Sequence, residues 1–202
     1  LQNGSFENWT NMGTYSDPDH WFSYNYVTAN FGAITCEEGT PGNPGAKYAK
    51  LTSKDVPGIG IMPGTLTSGE YDMSTGDYLP GFAFAQRPAN FTGSWQYMAM
   101  DTTDMGAMYV MLTKWNTSTQ AQDLIGVASF EMVGMEMSWV NFSLPFTYVS
   151  SDMPDSAMIY FASSGAGTGS PVDGSYLYID NLAFSGTATG INEGQAPVIA
   201  EV

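Results

Sequence analysis

Residues 106–115 read GAMYVMLTKW, nine residues after Gly106 with no proline and no further glycine. Side chains of a strand alternate between faces, so Met108, Val110 and Leu112 share one side and Tyr109, Met111 and Thr113 the other. Both sides are largely apolar, which marks a central strand covered on both faces. Helical periodicity is almost absent along the rest of the chain, while short apolar or alternating runs recur between Gly, Pro, Asn and Asp clusters. Strands are expected near Ser5–Trp9, Trp21–Tyr24, Ala46–Thr52, Ile59–Met62, Gly81–Gln86 and Trp95–Met100. Further strands are expected near Ala107–Trp115, Ile125–Glu131, Trp139–Ser143, Met158–Ala162 and Ser175–Phe184. So many short strands in one domain imply an all-β sandwich of two packed antiparallel sheets.

The 202-residue length suits one domain. Hydrophobic residues make up 43% and charged residues 12%, with 23 Gly and 11 Pro, a mixture that favours strands and turns. Twenty acids against five bases give a formal charge of -15, which leaves no basic stripe for a phosphate backbone or an anionic lipid surface. Nucleic acid is therefore excluded as a partner, and no apolar run reaches the ~20 residues needed for membrane insertion as a helix. Leu1 in place of a start methionine reads as a processed chain, and export follows from that reading. Cys36 has no second cysteine to pair with and reads as a small buried hydrophobe.

The segments CEEGTPGNPGAK, YDMSTGDYLP and SSGAGTGSPVDG read as loops. Thirteen Met residues, grouped in YMAM, MGAMYVM and FEMVGMEM, raise soft-metal ligation against core filling, and strand spacing beside aromatics favours core filling. Residues 1–184 are expected to form the sandwich. A Gly/Thr/Ser linker then leads into a strand-like tail over 185–202, ending APVIAEV.

Catalytic chemistry has little to stand on. His20, in DPDHWF, is the one histidine, so multi-histidine metal sites are excluded and its motif holds no nucleophile. G-x-S-x-G, Walker loops, dinucleotide fingerprints and CxxC are absent. Glu7, Glu131, Glu136, Asp155 and Asp180 could supply a carboxylate pair for glycoside hydrolysis, but nothing in the spacing selects one. The reading is non-catalytic.

LQNGSFENW at the start and GSYLYIDNLAF at residues 174–184 resemble the bracketing strands of secreted, galactose-binding-like jelly rolls, the architecture of many carbohydrate-binding modules. The middle is more specifically similar to the putative carbohydrate metabolism domain of Bacteroidetes surface proteins. It runs from LPGFAFAQRPANFTGSWQYM through WVNFSLPFTYVSSDMPDSAMIYFASS. Together the likeness spans residues 1–184. It implies a jelly-roll β-sandwich and a structural Ca²⁺ shared by an acid of the first strand and one of the last, here Glu7 and Asp180; oxygen donors suit that ion. GINEGQAPVIAEV resembles the junction before the sorting domain of type IX secretion cargo. DSA at 155–157 and DTT at 101–103 resemble Bacteroidetes O-glycosylation acceptors, which would place sugars on Ser156 and Thr102.

Two functions follow, both extracellular or at the cell surface. The first is a self-assembling filament or surface-layer subunit. In it the tail strand of Ala196, Pro197, Val198, Ile199, Ala200, Glu201 and Val202 adds to an open sheet edge of the next copy. The alternative is recognition of an extracellular glycan by aromatic faces, with Trp9, Trp21, Trp95, Trp115 and Trp139 as candidates and burial as the competing account of each.

Overall fold

The computed structural model describes residues 1–72, 75, 77–166, 169–190 and 198–199. Along the first third of the chain lie β1 (Trp9–Asn11), β2 (Ser16–Pro18), β3 (Trp21–Ser23), a short helix α1 (Asn25–Thr28), β4 (Cys36–Gly39), β5 (Tyr48–Thr52), β6 (Lys54–Val56) and β7 (Gly60–Met62). The middle holds β8 (Thr65–Asp72), β9 (Asp77–Pro80), β10 (Phe82–Ala83), β11 (Asn90–Met98) and β12 (Met105–Asn116). The rest forms β13 (Ala121–Val133), β14 (Met135–Pro145), β15 (Thr147–Tyr148), β16 (Ser156–Ala162), β17 (Tyr176–Ser185) and β18 (Val198–Ile199).

Fourteen of these strands build two antiparallel sheets packed as a jelly-roll β-sandwich, while β1 pairs with β2 and β6 with β7 in separate two-stranded ribbons. One has the order β15-β13-β12-β16-β8-β3, with β10 on β16 and β9 on β8; the other has the order β18-β14-β11-β17-β5-β4. β12 lies between β13 and β16, the central position its two apolar faces require. Met108, Val110 and Leu112 are fully buried between the sheets, whereas Tyr109 and Met111 are half-buried on the outer face. Phe91, Tyr97, Ile159, Phe161, Leu177 and Ile179 supply the facing core from both sheets.

Several expectations are corrected. The longest strand without a sequence signal is β8, TLTSGEYD, in which Leu66 is the one buried apolar side chain among the described residues. It is a strand because β16 and β3 pair with it on either side, so tertiary pairing overrides a polar composition. YDMSTGDYLP is not simply a loop, since Tyr71 and Asp72 pair with Tyr78 and Asp77 across β8 and β9. CEEG is strand β4, its start held by the buried Asn25, whose amide donates to Cys36 O at 2.7 Å and accepts from Thr35 N at 2.8 Å. Ser5–Phe6 is a turn, and the first strand begins at Trp9. Core filling accounts for Met108 and Met132 only in part of the methionine set, because Met100, Met135, Met137 and Met153 are exposed.

The chain after β17 packs back on the sandwich. Ala188 is buried and its N–H donates to Arg87 O at 2.8 Å. Arg87 itself donates to the carbonyls of Ser150, Asp152 and Gly190 and stacks over the Tyr148 ring at 4.0 Å. Val198 and Ile199 pair with Ser143 and Phe142 at the edge of the chain's own second sheet. Ala196, Pro197, Ala200, Glu201 and Val202 lie outside the described residues, as does most of the GINE-like junction.

Candidate functional site: a tyrosine groove and an acidic loop site

The outer face of the larger sheet carries a row that crosses five strands. Ser129 on β13, Tyr109 on β12, Tyr160 on β16, Thr67 on β8 and Phe22 on β3 are register partners in turn. At the usual inter-strand spacing the row is about 19 Å long. Tyr109 and Tyr160 stand side by side at its centre. Burial raises the Tyr160 hydroxyl above the ordinary phenol range, with Tyr24 and Tyr109 adding to the effect, so it stays protonated and can both donate and accept.

One step toward the strand ends, Ala107 and Ala162 replace the tyrosines as register partners. Two methyl groups where two rings stood leave a depression of about 360 Å³, walled by Met62 and Pro63 on one side and by Gly165 and Ala166 on the other. Buried polar bonds fix both walls. Ser163 Oγ lies 2.9 Å from Ser53 Oγ and accepts from Gly64 N at 2.9 Å. Ser164 Oγ donates to both Asp104 oxygens at 2.7 Å, and Gly165 N donates to Asp104 Oδ1 at 2.9 Å. Ala166 N then donates to Met105 O at 2.9 Å. The groove is thus formed before any ligand arrives, and its lining combines aromatic, apolar and hydroxyl surface.

The second site is acidic. Asp180, on β17, is fully buried, and its carboxylate accepts from Asn43 N and from its own neighbour Asn181 N. Glu7 Oε1 accepts from Ala46 N at 2.8 Å and Lys47 N at 3.3 Å, so the same 42–47 loop covers both carboxylates. Gly45 adopts φ 113°, a conformation that L side chains rarely take, and a Cβ there would press on the Glu7 carboxylate, so the loop favours glycine. Burial raises the Asp180 carboxyl, the two N–H donors pull it down, and the Glu7 charge adds to the rise. Lys47 does not relieve this, since its ammonium reaches Glu38 at 2.9 Å. Two carboxylates, each accepting from main-chain N–H groups and neither bonded to a cationic side chain among the described residues, offer hard oxygen donors of the kind Ca²⁺ takes. No group of three or more acids, His or Cys gathers around them among the described residues, so carbonyls and water would complete the shell.

The remaining candidates are dispersed. His20 adopts φ 67° in a turn, and its Nδ1 lies 3.1 Å from Glu70 Oε1 at the rim of a cavity of about 480 Å³ backed by Leu79, Phe82 and Phe84. The hydroxyl on that wall, Ser68 Oγ, is buried and accepts from Ile159 N at 2.9 Å. Asp155 accepts from Trp115 N and Glu136 from Ser138 N, while Glu131 is exposed on β13; only Glu7 and Asp180 are brought together. Trp21 and Trp95 are core residues, and Trp115 is exposed beyond the groove at the far end of β12. Trp139 lies on the other sheet, where Tyr48 meets it edge-on at 5.2 Å and Tyr178 at 5.1 Å from Tyr48 extends the cluster. Ser156 is half-buried within β16, and Thr102 is exposed in a turn. Tyr109 and Tyr160 escaped sequence reading as ligand contacts because alternation assigns them to an outer face without saying which pair stands beside a depression.

Residues 5–185 match the family described as "putative carbohydrate metabolism domain". No curated protein matches the chain in sequence. Among solved structures, one described as a putative glycoside hydrolase from Bacteroides thetaiotaomicron superposes with a TM-score of 0.72 at 20% identity, over 89% of this chain and 69% of that one. A family 28 carbohydrate-binding module specific for non-crystalline cellulose aligns with a TM-score of 0.46 at 14% identity, covering 92% and 94% of the two chains. A family 61 module bound to β-1,4-galactotriose gives 0.41 at 10% identity, covering 90% and 94%. The chain belongs to the putative carbohydrate metabolism domain family, and its fold is shared with the Bacteroides protein.

Proposed function

We propose that this family member is a non-catalytic glycan-recognition module working outside the cell or at its surface, with the Tyr109–Tyr160 groove as its binding site. The observation that carries the reading is the pair of half-buried rings beside a pre-formed depression of about 360 Å³. Sugar rings present C–H faces that stack on aromatic rings and hydroxyls that pair with phenol and main-chain groups, and the groove offers both. Its walls are braced by buried bonds, so little ordering cost opposes binding.

A glycan microarray probed with the wild-type protein and with Tyr109→Ala and Tyr160→Ala tests this. The expected result is binding to at least one glycan, weakened about 10- to 100-fold in each variant, which corresponds to roughly 1.4–3 kcal/mol of lost stacking. Both rings are half-buried, so each variant should lose some stability, and far-UV circular dichroism at the assay temperature checks that both remain folded. Failure of the wild type to bind, or binding indifferent to both substitutions, contradicts the proposal.

Calcium at Glu7 and Asp180 is a structural part of the same reading. The ion would neutralise two like charges and pin the 42–47 loop to the segment ahead of β1 and to β17. At a Ca²⁺ concentration about 100-fold above Kd the gain would be roughly 2.7 kcal/mol. The melting temperature should therefore rise with Ca²⁺ and fall with chelator, and Asp180→Asn should abolish the response. A midpoint that ignores Ca²⁺ would remove the ion from the account.

Self-assembly through the tail ranks second, because Val198 and Ile199 pair with β14 of their own chain. Placement outside the cell rests on the family's carbohydrate description and on the tail's likeness to a sorting junction; no helix among the described residues is long and apolar enough to cross a membrane.

A further inference from the structure

We infer that the groove takes a neutral glycan and discriminates against uronic and sulfated sugars. This rests on the proposed glycan reading and adds the charge class of the ligand. Recognition of a sugar carboxylate or sulfate calls for an arginine fork or a lysine aimed at the anion. The chain has five cationic side chains, and each is engaged elsewhere. Lys47 pairs with Glu38 at 2.9 Å, Lys50 and Lys54 share Glu37 at 3.8 and 3.4 Å, and Lys114 pairs with Asp152 at 3.0 Å. Arg87 is buried on the Ser150 and Asp152 carbonyls.

Two acids flank the groove. Glu131 is the register partner of Ala107 in the groove floor, and buried Asp104 lies directly beneath the Ser164–Gly165 wall. Lys54 stands opposite Met62 of the other wall, but its ammonium is directed to Glu37. Among the described residues the groove lining contains no charged side chain. A neutral ring meets tyrosine, apolar side chains such as Ile61, Met62 and Pro63, the Ser164 hydroxyl and main chain there. An anionic ring meets the same surface plus two carboxylates, within a molecule of formal charge -15.

Affinity electrophoresis and titration calorimetry of the full chain test the inference. The neutral probes are cellohexaose, xylohexaose and β-1,4-galactan; the anionic probes are polygalacturonate, alginate and heparin. Each is measured at low and at high salt, with Tyr109→Ala alongside. Neutral probes are expected to bind through Tyr109 with an affinity that salt leaves unchanged, and anionic probes about tenfold or more weakly. An anionic probe that binds as tightly as the best neutral one, and loses affinity in Tyr109→Ala, overturns the charge assignment and leaves glycan recognition standing. If no probe of either class binds, glycan recognition itself falls and the charge assignment falls with it.

Discussion

Asp17 is a buried acid that accepts two hydrogen bonds from Ser23: the hydroxyl donates to Oδ1 at 2.6 Å and the N–H to Oδ2 at 3.2 Å. Burial pushes its carboxyl up from 3.8 to about 6, against the pull of those two bonds. A carboxyl whose pKa is higher folded than unfolded holds its proton more tightly in the native state. Its contribution to stability is complete below about 3.8 and is lost as pH rises through about 6. The difference is on the order of 2–3 kcal/mol. Denaturation by urea should thus need more denaturant at pH 5 than at pH 7.5, and Asp17→Asn should flatten that slope. A profile equally steep in the variant would assign the effect to other groups. Neither Asp17 nor the groove tyrosines stood out in sequence, because burial and register decide their chemistry and neither is local. The family likeness singled out Glu7 and Asp180 but not the 42–47 loop over them, and it put Glu7 on the first strand, whereas Glu7 lies ahead of β1.

At the scale of elements, β12 shows how far alternation carries. GAMYVMLTKW places Met108, Val110 and Leu112 on one face, and these three are fully buried. Leu112→Ala should cost about 2–5 kcal/mol, whereas Met111→Ala on the half-buried face should cost clearly less. Equal losses in a denaturant titration would mean the two faces are not distinguished as described. Alternation failed for β8, where threonine, serine and glycine fill a strand that exists because β16 and β3 flank it. Arg87 is the cross-element tie that composition concealed, joining the 150–152 loop, the Tyr148 ring and Gly190. Arg87→Ala should lower stability by roughly 2–3 kcal/mol by stripping its charged bonds from the Ser150 and Asp152 carbonyls. Arg87→Lys should recover little of it, because lysine lacks the planar fork.

For the whole molecule, the two sheets divide the work. The larger one presents the tyrosine groove, and the smaller one carries the Glu7–Asp180 loop site, the edge strand β18 and the Tyr48–Trp139–Tyr178 cluster. In that cluster the rings cover one another, and Gln96, its amide oriented to accept from Trp139 Nε1 at 3.0 Å, satisfies the indole. A chain ending at Gly190 should keep the same sedimentation coefficient class and melting midpoint as the full chain. Loss of an oligomer on truncation would restore the tail as an intermolecular strand. The most direct measurement of the central claim is backbone and side-chain NMR shift mapping with the oligosaccharide that binds best. Glycan recognition by the groove predicts perturbations centred on Tyr109, Tyr160 and Gly165–Ala166, with Tyr48 and Trp139 unmoved. Perturbations confined to Tyr48, Trp139 and Tyr178 would contradict it and move the site to the opposite sheet.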